Sequence, residues 1–170
     1  FELARPILRD LMEATGETAN IAVAQGDMVL FVSQVETHET IRAFFPPGTL
    51  SPMHASGIGK ALLAQMEEAR LTRALAAPME QFTPRTLVDP GALRADLALI
   101  RTRGYAIDGE EKNLGMRCIA APVFDVNQEA VAGISVSGPI SRVGPDDVTS
   151  LGAYVMAAAQ RLTQAIGGAA

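Results

Sequence analysis

Arg117-Cys118-Ile119-Ala120-Ala121-Pro122-Val123-Phe124, then Asp125-Val126-Asn127-Gln128-Glu129, then Ala130-Val131-Ala132-Gly133-Ile134-Ser135-Val136-Ser137 is the stretch that decides the fold. Two runs of small and β-branched apolar residues flank a turn made of Asp, Asn, Gln and Glu. A link that short joins neighbouring strands only in antiparallel fashion. Ile134 and Val136 alternate with Ser135 and Ser137, so the two hydroxyls share one face of their strand and the two branched side chains take the other.

Working outward, Tyr105 to Asp108 reads as a further strand. It is preceded by a helix that Asp89 caps, Pro90 opens and Gly104 closes, with Leu93, Leu97 and Ile100 as its apolar stripe. Residues 78–90 hold three prolines and no period. Near the start, Ile21 to Ala24 and Val29 to Val32 flank Gln25-Gly26-Asp27 as a hairpin. Thr40 to Phe44, with Arg42 pointing to solvent or a subunit face, is the expected third strand. Helices are expected over the first fifteen residues (Leu3, Ile7, Leu8, Leu11, Met12, stopped by Gly16), from Ser56 to Met66, and from Glu67 to Leu75. A last helix follows Gly144-Pro145-Asp146-Asp147, with Val148, Leu151, Val155, Ala158, Leu162 and Ile166 on its stripe. Six strands without strict strand–helix alternation predict an α+β fold, a mostly antiparallel sheet with helices packed on its faces.

The chain has 170 residues, enough for one domain with a real core. No apolar run is long enough to span a bilayer, and a cytoplasmic protein with no membrane contact is expected. One cysteine excludes an internal disulfide and a cysteine-rich metal site. A net charge of −5 argues against nucleic-acid binding by this chain itself, because phosphate binding needs a concentrated basic surface. The chain opens on Phe1, which suggests that further sequence precedes it.

Met53-His54-Ala55-Ser56-Gly57-Ile58-Gly59-Lys60 reads as a tight loop running straight into a helix. Such a junction aims unpaired backbone N–H groups and the positive end of a helix dipole at one spot, which suits a small anion. Buried serine hydroxyls need partners, and a ligand carboxylate would supply one. Asp108 beside such an anion fits only if it is protonated or accepts a hydrogen bond from a ligand hydroxyl.

Two segments together carry a resemblance. Met53 to Ala61, and Arg103-Gly104-Tyr105-Ala106-Ile107-Asp108 with Gly115-Met116-Arg117-Cys118 and Ser135-Val136-Ser137-Gly138-Pro139, strongly resemble the effector-binding domain of the IclR family of bacterial transcriptional regulators. The resemblance covers essentially the whole chain. It implies a GAF-like fold with a six-stranded antiparallel sheet, and a winged helix-turn-helix DNA-binding domain on the N-terminal side of residues 1–170. DNA contact would run through that domain, in a homodimer or homotetramer. The family's ligand positions fall on Gly57, Ile58, Asp108, Cys118, Ser135 and Ser137. That polar set implies a small carboxylate effector such as glyoxylate, pyruvate or a related oxo or hydroxy acid. No catalytic residue, metal or cofactor is implied.

Other readings of the same residues stand beside this one. Gly57 and Gly59 could serve close helix packing alone. Cys118 could be a small core residue or, with His54 or Asp108, the nucleophile of a small cytosolic enzyme acting on an oxo acid. A GAF-like module acting only in oligomerisation is a third reading. His54 is expected to be a buried, hydrogen-bonded histidine and His38 a solvated one. Lys60, Glu110, Glu111 and Lys112 read as surface charges, Lys60 with a possible salt bridge.

Register decides whether these residues share a site. With five turn residues, Phe124 pairs with Ala130 and straight counting sets Cys118 opposite Val136, away from the serines. A one-residue slip moves every side chain to the other face. The hairpin therefore needs an even-length turn or a bulge, and Cys118 is expected to pair with Ser135 or Ser137, or to reach their face through an irregularity near Pro122, which cannot donate to a ladder.

Overall fold

The structure, a computed structural model, describes residues 2–41, 43 and 45–169. The helices are α1 (Ala4–Thr15), α2 (Gly57–Leu63), α3 (Glu68–Ala76), α4 (Pro90–Arg103) and α5 (Val148–Ala165). The strands are β1 (Thr18–Gln25), β2 (Met28–Val35), β3 (Leu50–Pro52), β4 (Ala106–Gly109), β5 (Met116–Phe124) and β6 (Ala130–Pro139). They form one sheet in the order β3-β2-β1-β6-β5-β4, with every neighbouring pair antiparallel. The α+β architecture expected from the sequence is present.

The expected third strand is not where the sequence placed it. Thr40 and Ile41 lie in a bend, Ala43 carries no regular structure, and Arg42 and Phe44 fall outside the described residues. The edge position belongs instead to Leu50–Pro52, which pairs with Met28 to Leu30. Three residues holding a proline give little strand signal, and Pro52 is tolerated because it closes an edge strand.

Helix ends follow local chemistry. Asp89 caps α4 by accepting the Ala92 N–H at 2.9 Å, and Pro90 opens it. Both α1 and α4 stop at glycines in the left-handed region, Gly16 at φ +74° and Gly104 at φ +93°, where a side chain would be strained. The stripe of α1 is Ala4, Ile7, Leu8, Leu11 and Met12. Leu3, counted in that stripe from spacing, precedes the helix and is 58% exposed.

The helices divide between the two faces of the sheet. α1 and α5 cover one face, packing Leu8, Leu11, Val155 and Leu162 against Ile21, Ile119, Ile134 and Val136. α2 and α4 cover the other, packing Ile58, Leu62, Leu93 and Leu97 with Ala22, Phe31, Ala106 and Ala120.

Two bulges set the register. Phe124 pairs with Ala130 but Val123 with Ala132, so Val131 is an extra residue on β6. The expected five-residue turn and the expected irregularity beside Pro122 are therefore both present. Cys118 faces Ser137 as a result. On the other hairpin Ile21 pairs with Ser33 and Ala22 with Phe31, which leaves Val32 as the extra residue.

Candidate functional site

The registers line up a polar row across four strands on the α2 face. Asp108 of β4 faces Cys118 of β5, Cys118 faces Ser137 of β6, and Ser135 of β6 faces Asn20 of β1. Ser135, Ser137 and Asn20 are almost fully buried. Asn20 Nδ2 lies 3.4 Å from both Ser135 Oγ and Ser137 Oγ.

The first turn of α2 rests on this row. Ser56 caps the helix, its hydroxyl accepting the Gly59 N–H at 3.1 Å, and the Lys60 N–H bonds the Ser56 carbonyl at 2.8 Å. Gly57 and Ile58 occupy the first two helical positions, where the N–H groups have no carbonyl behind them. Among the described residues nothing takes either N–H. A Cβ on Gly57 would come within 2.8 Å of Cys118 Sγ, so only glycine lets the helix start lie directly over the thiol. A Cβ on Gly59 would come within 2.4 Å of the Met53 backbone. Both glycines thus serve close packing, and at Gly57 the close neighbour is Cys118 of the polar row. Ile58 turns its side chain onto Gly133 and leaves its N–H at the helix start.

Charge is concentrated at the β4 end of the row. Lys60, 1% exposed, places Nζ 2.6 Å from Asp96 Oδ2, 2.8 Å from Glu111 Oε1 and 2.7 Å from the Ile107 carbonyl. Lys60 and Glu111, taken as surface charges from the sequence, are a buried ion pair. Glu110 and Lys112 are half-buried, with Lys112 Nζ 4.3 Å from the Phe82 ring centre. Glu110 adopts φ +59°, and in this tight turn the Glu111 N–H reaches back to Asp108 Oδ1 at 2.8 Å.

Burial, with the neighbouring charge of Glu111, pushes the Asp108 carboxyl up to about 7, against the Glu111 and Lys112 N–H groups and Lys60. Burial and the charge of Asp108 push the Cys118 thiol up to about 12, against hydrogen bonds from Ser137 and Ser135. Cys118 is therefore a neutral thiol near neutral pH, unlike an activated nucleophile. Asp108 and Cys118 both keep accessible surface despite this burial, so they border space that water can enter.

His54 is engaged elsewhere, as a buried, hydrogen-bonded histidine. Its Nε2 is 2.7 Å from the Glu80 carbonyl, which can only accept, so Nε2 carries the proton. The ring stacks on Phe82 with centroids 5.9 Å apart. It lines a separate cleft of about 800 Å³ between α3, the β1–β2 turn and residues 78–82. His38 is exposed.

The structure thus brings Gly57, Ile58, Asp108, Cys118, Ser135 and Ser137 together. Sequence reading missed Asn20, Lys60, Asp96 and Glu111 as members of the same cluster. Asn20 had a readable signal, because an amide mid-strand two positions from Ala22 falls on one face of β1. The Lys60–Asp96 contact joins two helices far apart in sequence and left no local pattern.

Comparison with known proteins places this fold among bacterial regulators. The family model for the bacterial transcriptional regulator IclR C-terminal region matches residues 1–164, and the chain belongs to that family. It is 59% identical over 163 residues to the HTH-type transcriptional regulator BhcR of Paracoccus denitrificans, covering 95% of this chain and 58% of that protein. It is 48% identical over 169 residues to the transcriptional repressor IclR of Escherichia coli, covering 98% of this chain and 62% of that protein. The chain therefore spans about three-fifths of the curated relatives it matches. The crystal structure of Thermotoga maritima IclR superposes with a TM-score of 0.93 at 29% identity, covering 98% of this chain and 68% of that one. The C-terminal domain of the E. coli regulator KdgR superposes at 0.87 and 28% identity, covering 98% and 97%. The relatives are named as regulators and repressors, not as enzymes.

Proposed function

We propose that this chain is the effector-sensing domain of a transcriptional regulator, and that its ligand is a small carboxylate of the oxo or hydroxy acid class. One observation carries the reading: two helix-start N–H groups with no partner among the described residues open a helix whose first residue, Gly57, lies directly over Cys118 in a row of hydroxyl, thiol and carboxyl groups. A carboxylate placed there gains two charge-assisted hydrogen bonds and the helix dipole. Asp108, held near neutrality, can then donate to or accept from the ligand's second oxygen function instead of repelling it.

The full-length protein binds DNA through a winged helix-turn-helix domain N-terminal to residues 1–170, acts as a cytoplasmic repressor, and assembles as a homodimer or homotetramer. Support comes from the names of the relatives and from the part of their length this chain does not span. Regulators that read paired half-sites need two-fold symmetry.

A thermal-shift series with glyoxylate, pyruvate and glycolate tests the sensing reading. A ligand that binds only the folded state raises the melting point in proportion to the logarithm of its concentration over Kd. Absence of any shift with every small acid tried would leave only a role in oligomerisation. Turnover of an oxo acid by the pure chain would favour the enzyme reading, which the neutral thiol and the engaged His54 argue against.

A further inference from the structure

Asn20 is the one member of the row whose hydrogen-bonding capacity is half used. It is fully buried in the middle of β1, and its Nδ2 spans the two serine hydroxyls. Its Oδ1 is removed from solvent and has no hydrogen-bond partner among the described residues. Buried carbonyl oxygens are almost always satisfied, because leaving one empty loses its hydration for nothing in return.

Strands about 4.8 Å apart set β1 roughly 10 Å from β5, where the Gly57 N–H sits over Cys118. The Asn20 side chain reaches back across part of that distance to the β6 serines. A molecule anchored by its carboxylate at the helix start, and lying over the serines, would extend toward β1 and the Asn20 amide. An oxygen such as Oδ1 accepts and never donates.

We propose that Asn20 is a specificity-determining residue of the site, and that it selects acids carrying a hydroxyl donor beyond the carboxylate: 2-hydroxy acids, or 2-oxo acids in their hydrated gem-diol form. An unhydrated keto acid offers only acceptors there and leaves Oδ1 empty. This inference rests on the carboxylate-site reading and adds the identity of the second group.

Calorimetric titration of the 170-residue chain with lactate and with pyruvate, which differ in donor capacity and hardly in size, tests it. The unchanged chain is expected to bind lactate about tenfold more tightly, the scale of one hydrogen bond to a buried, otherwise unsatisfied group. Asn20→Leu, which fills the same space without polar atoms, should bring the two affinities within about twofold of each other, whatever common loss follows from removing the Nδ2 contacts to Ser135 and Ser137. Equal or tighter binding of pyruvate by the unchanged chain overturns the proposal without recourse to a variant. So does a lactate preference that survives in Asn20→Leu, or an equal loss for both acids, which would mark Asn20 as structural. If the unchanged chain binds neither acid nor glyoxylate, the carboxylate-site reading itself falls, and this inference with it.

Discussion

The two faces of one sheet are built from the same strands and do opposite things. Under α1 and α5, Ile119, Ala121, Val123, Ile134 and Val136 are an unbroken apolar layer. One residue along each strand, under the start of α2, stand Cys118, Ser135, Ser137 and Asn20. Nothing about strand propensity separates the two sets. Period-two alternation separates them, and the helix that lies above each decides what it becomes. A full-length apolar helix over one face asks only for volume. A seven-residue helix over the other brings its unpaired N–H groups down among polar atoms.

The largest effect that would sharpen this contrast concerns Lys60. It is a cation on the polar face, shut off from solvent and held by Asp96, Glu111 and the Ile107 carbonyl. Removing one partner of a buried pair typically costs about 3–5 kcal/mol. Lys60→Met should lower the melting point by about 10 °C, as read by calorimetry, given roughly 2–4 °C per kcal/mol at this size. A drop of less than about 2 °C would mean the cluster is solvated and that the polar face is not a sealed site.

The apolar face should respond to volume alone. Ile134→Ala removes three carbons from a position with no exposure and is expected to cost about 2–5 kcal/mol in urea unfolding. Affinity for small acids, measured below the new midpoint, should stay within about twofold of the unchanged chain. A large loss of affinity would show that the two faces are not independent.

Gly57→Val reverses that pattern. Its branched side chain would meet Cys118 Sγ, Ala120 and the space above them. Steric insertion at such a spot costs about 1–3 kcal/mol, while small-acid binding should fall below detection by titration. Gly59→Ala is the control at the same helix start. Its Cβ meets the Met53 backbone instead of the row, so stability falls with no selective effect on ligand.

How far the sequence reveals this division depends on the kind of contact involved. Alternation of Ile134, Ser135, Val136 and Ser137 states the two faces outright, and the Asp89-Pro90 and Gly104 signals bracket α4. The register of Cys118 was open to deduction because a five-residue turn and a shared face are incompatible without one extra residue, and Val131 is that residue. The edge strand Leu50–Pro52 was hidden by its brevity and its proline. The Lys60–Asp96–Glu111 cluster was hidden for another reason: it ties α2 to α4 and to the turn after β4, and side chains that meet across long loops leave no period to read. Charges in a sequence read as solvated by default, and only packing shows which are not.

The finest probe of the polar face is pH. In the folded chain the Asp108 carboxyl titrates at about 7, whereas an unfolded aspartate titrates at about 3.9. Below both values Asp108 is protonated in either state and contributes nothing to the pH dependence. Between them the folded chain holds a proton that the unfolded chain has lost, so stability declines as pH rises from about 4 toward about 7 and levels off above that. An acid whose folded value is raised thus behaves opposite to a salt-bridged one. A bound carboxylate adds negative charge near Asp108 and favours its protonated form further. Small-acid affinity should therefore be highest below pH 6 and weaken by up to tenfold per unit above about 7. Titrations from pH 5.5 to 8.5 would trace this, with Asp108→Asn as the comparison, since an amide keeps the shape and cannot ionise. The variant should show a flat affinity profile and lose the decline in melting point between pH 5 and 7. An unchanged slope in both measurements would assign the pH dependence to another group. Asp108 would then stand ionised at the proposed site, and the polar face would repel an anion brought to its helix-start N–H groups.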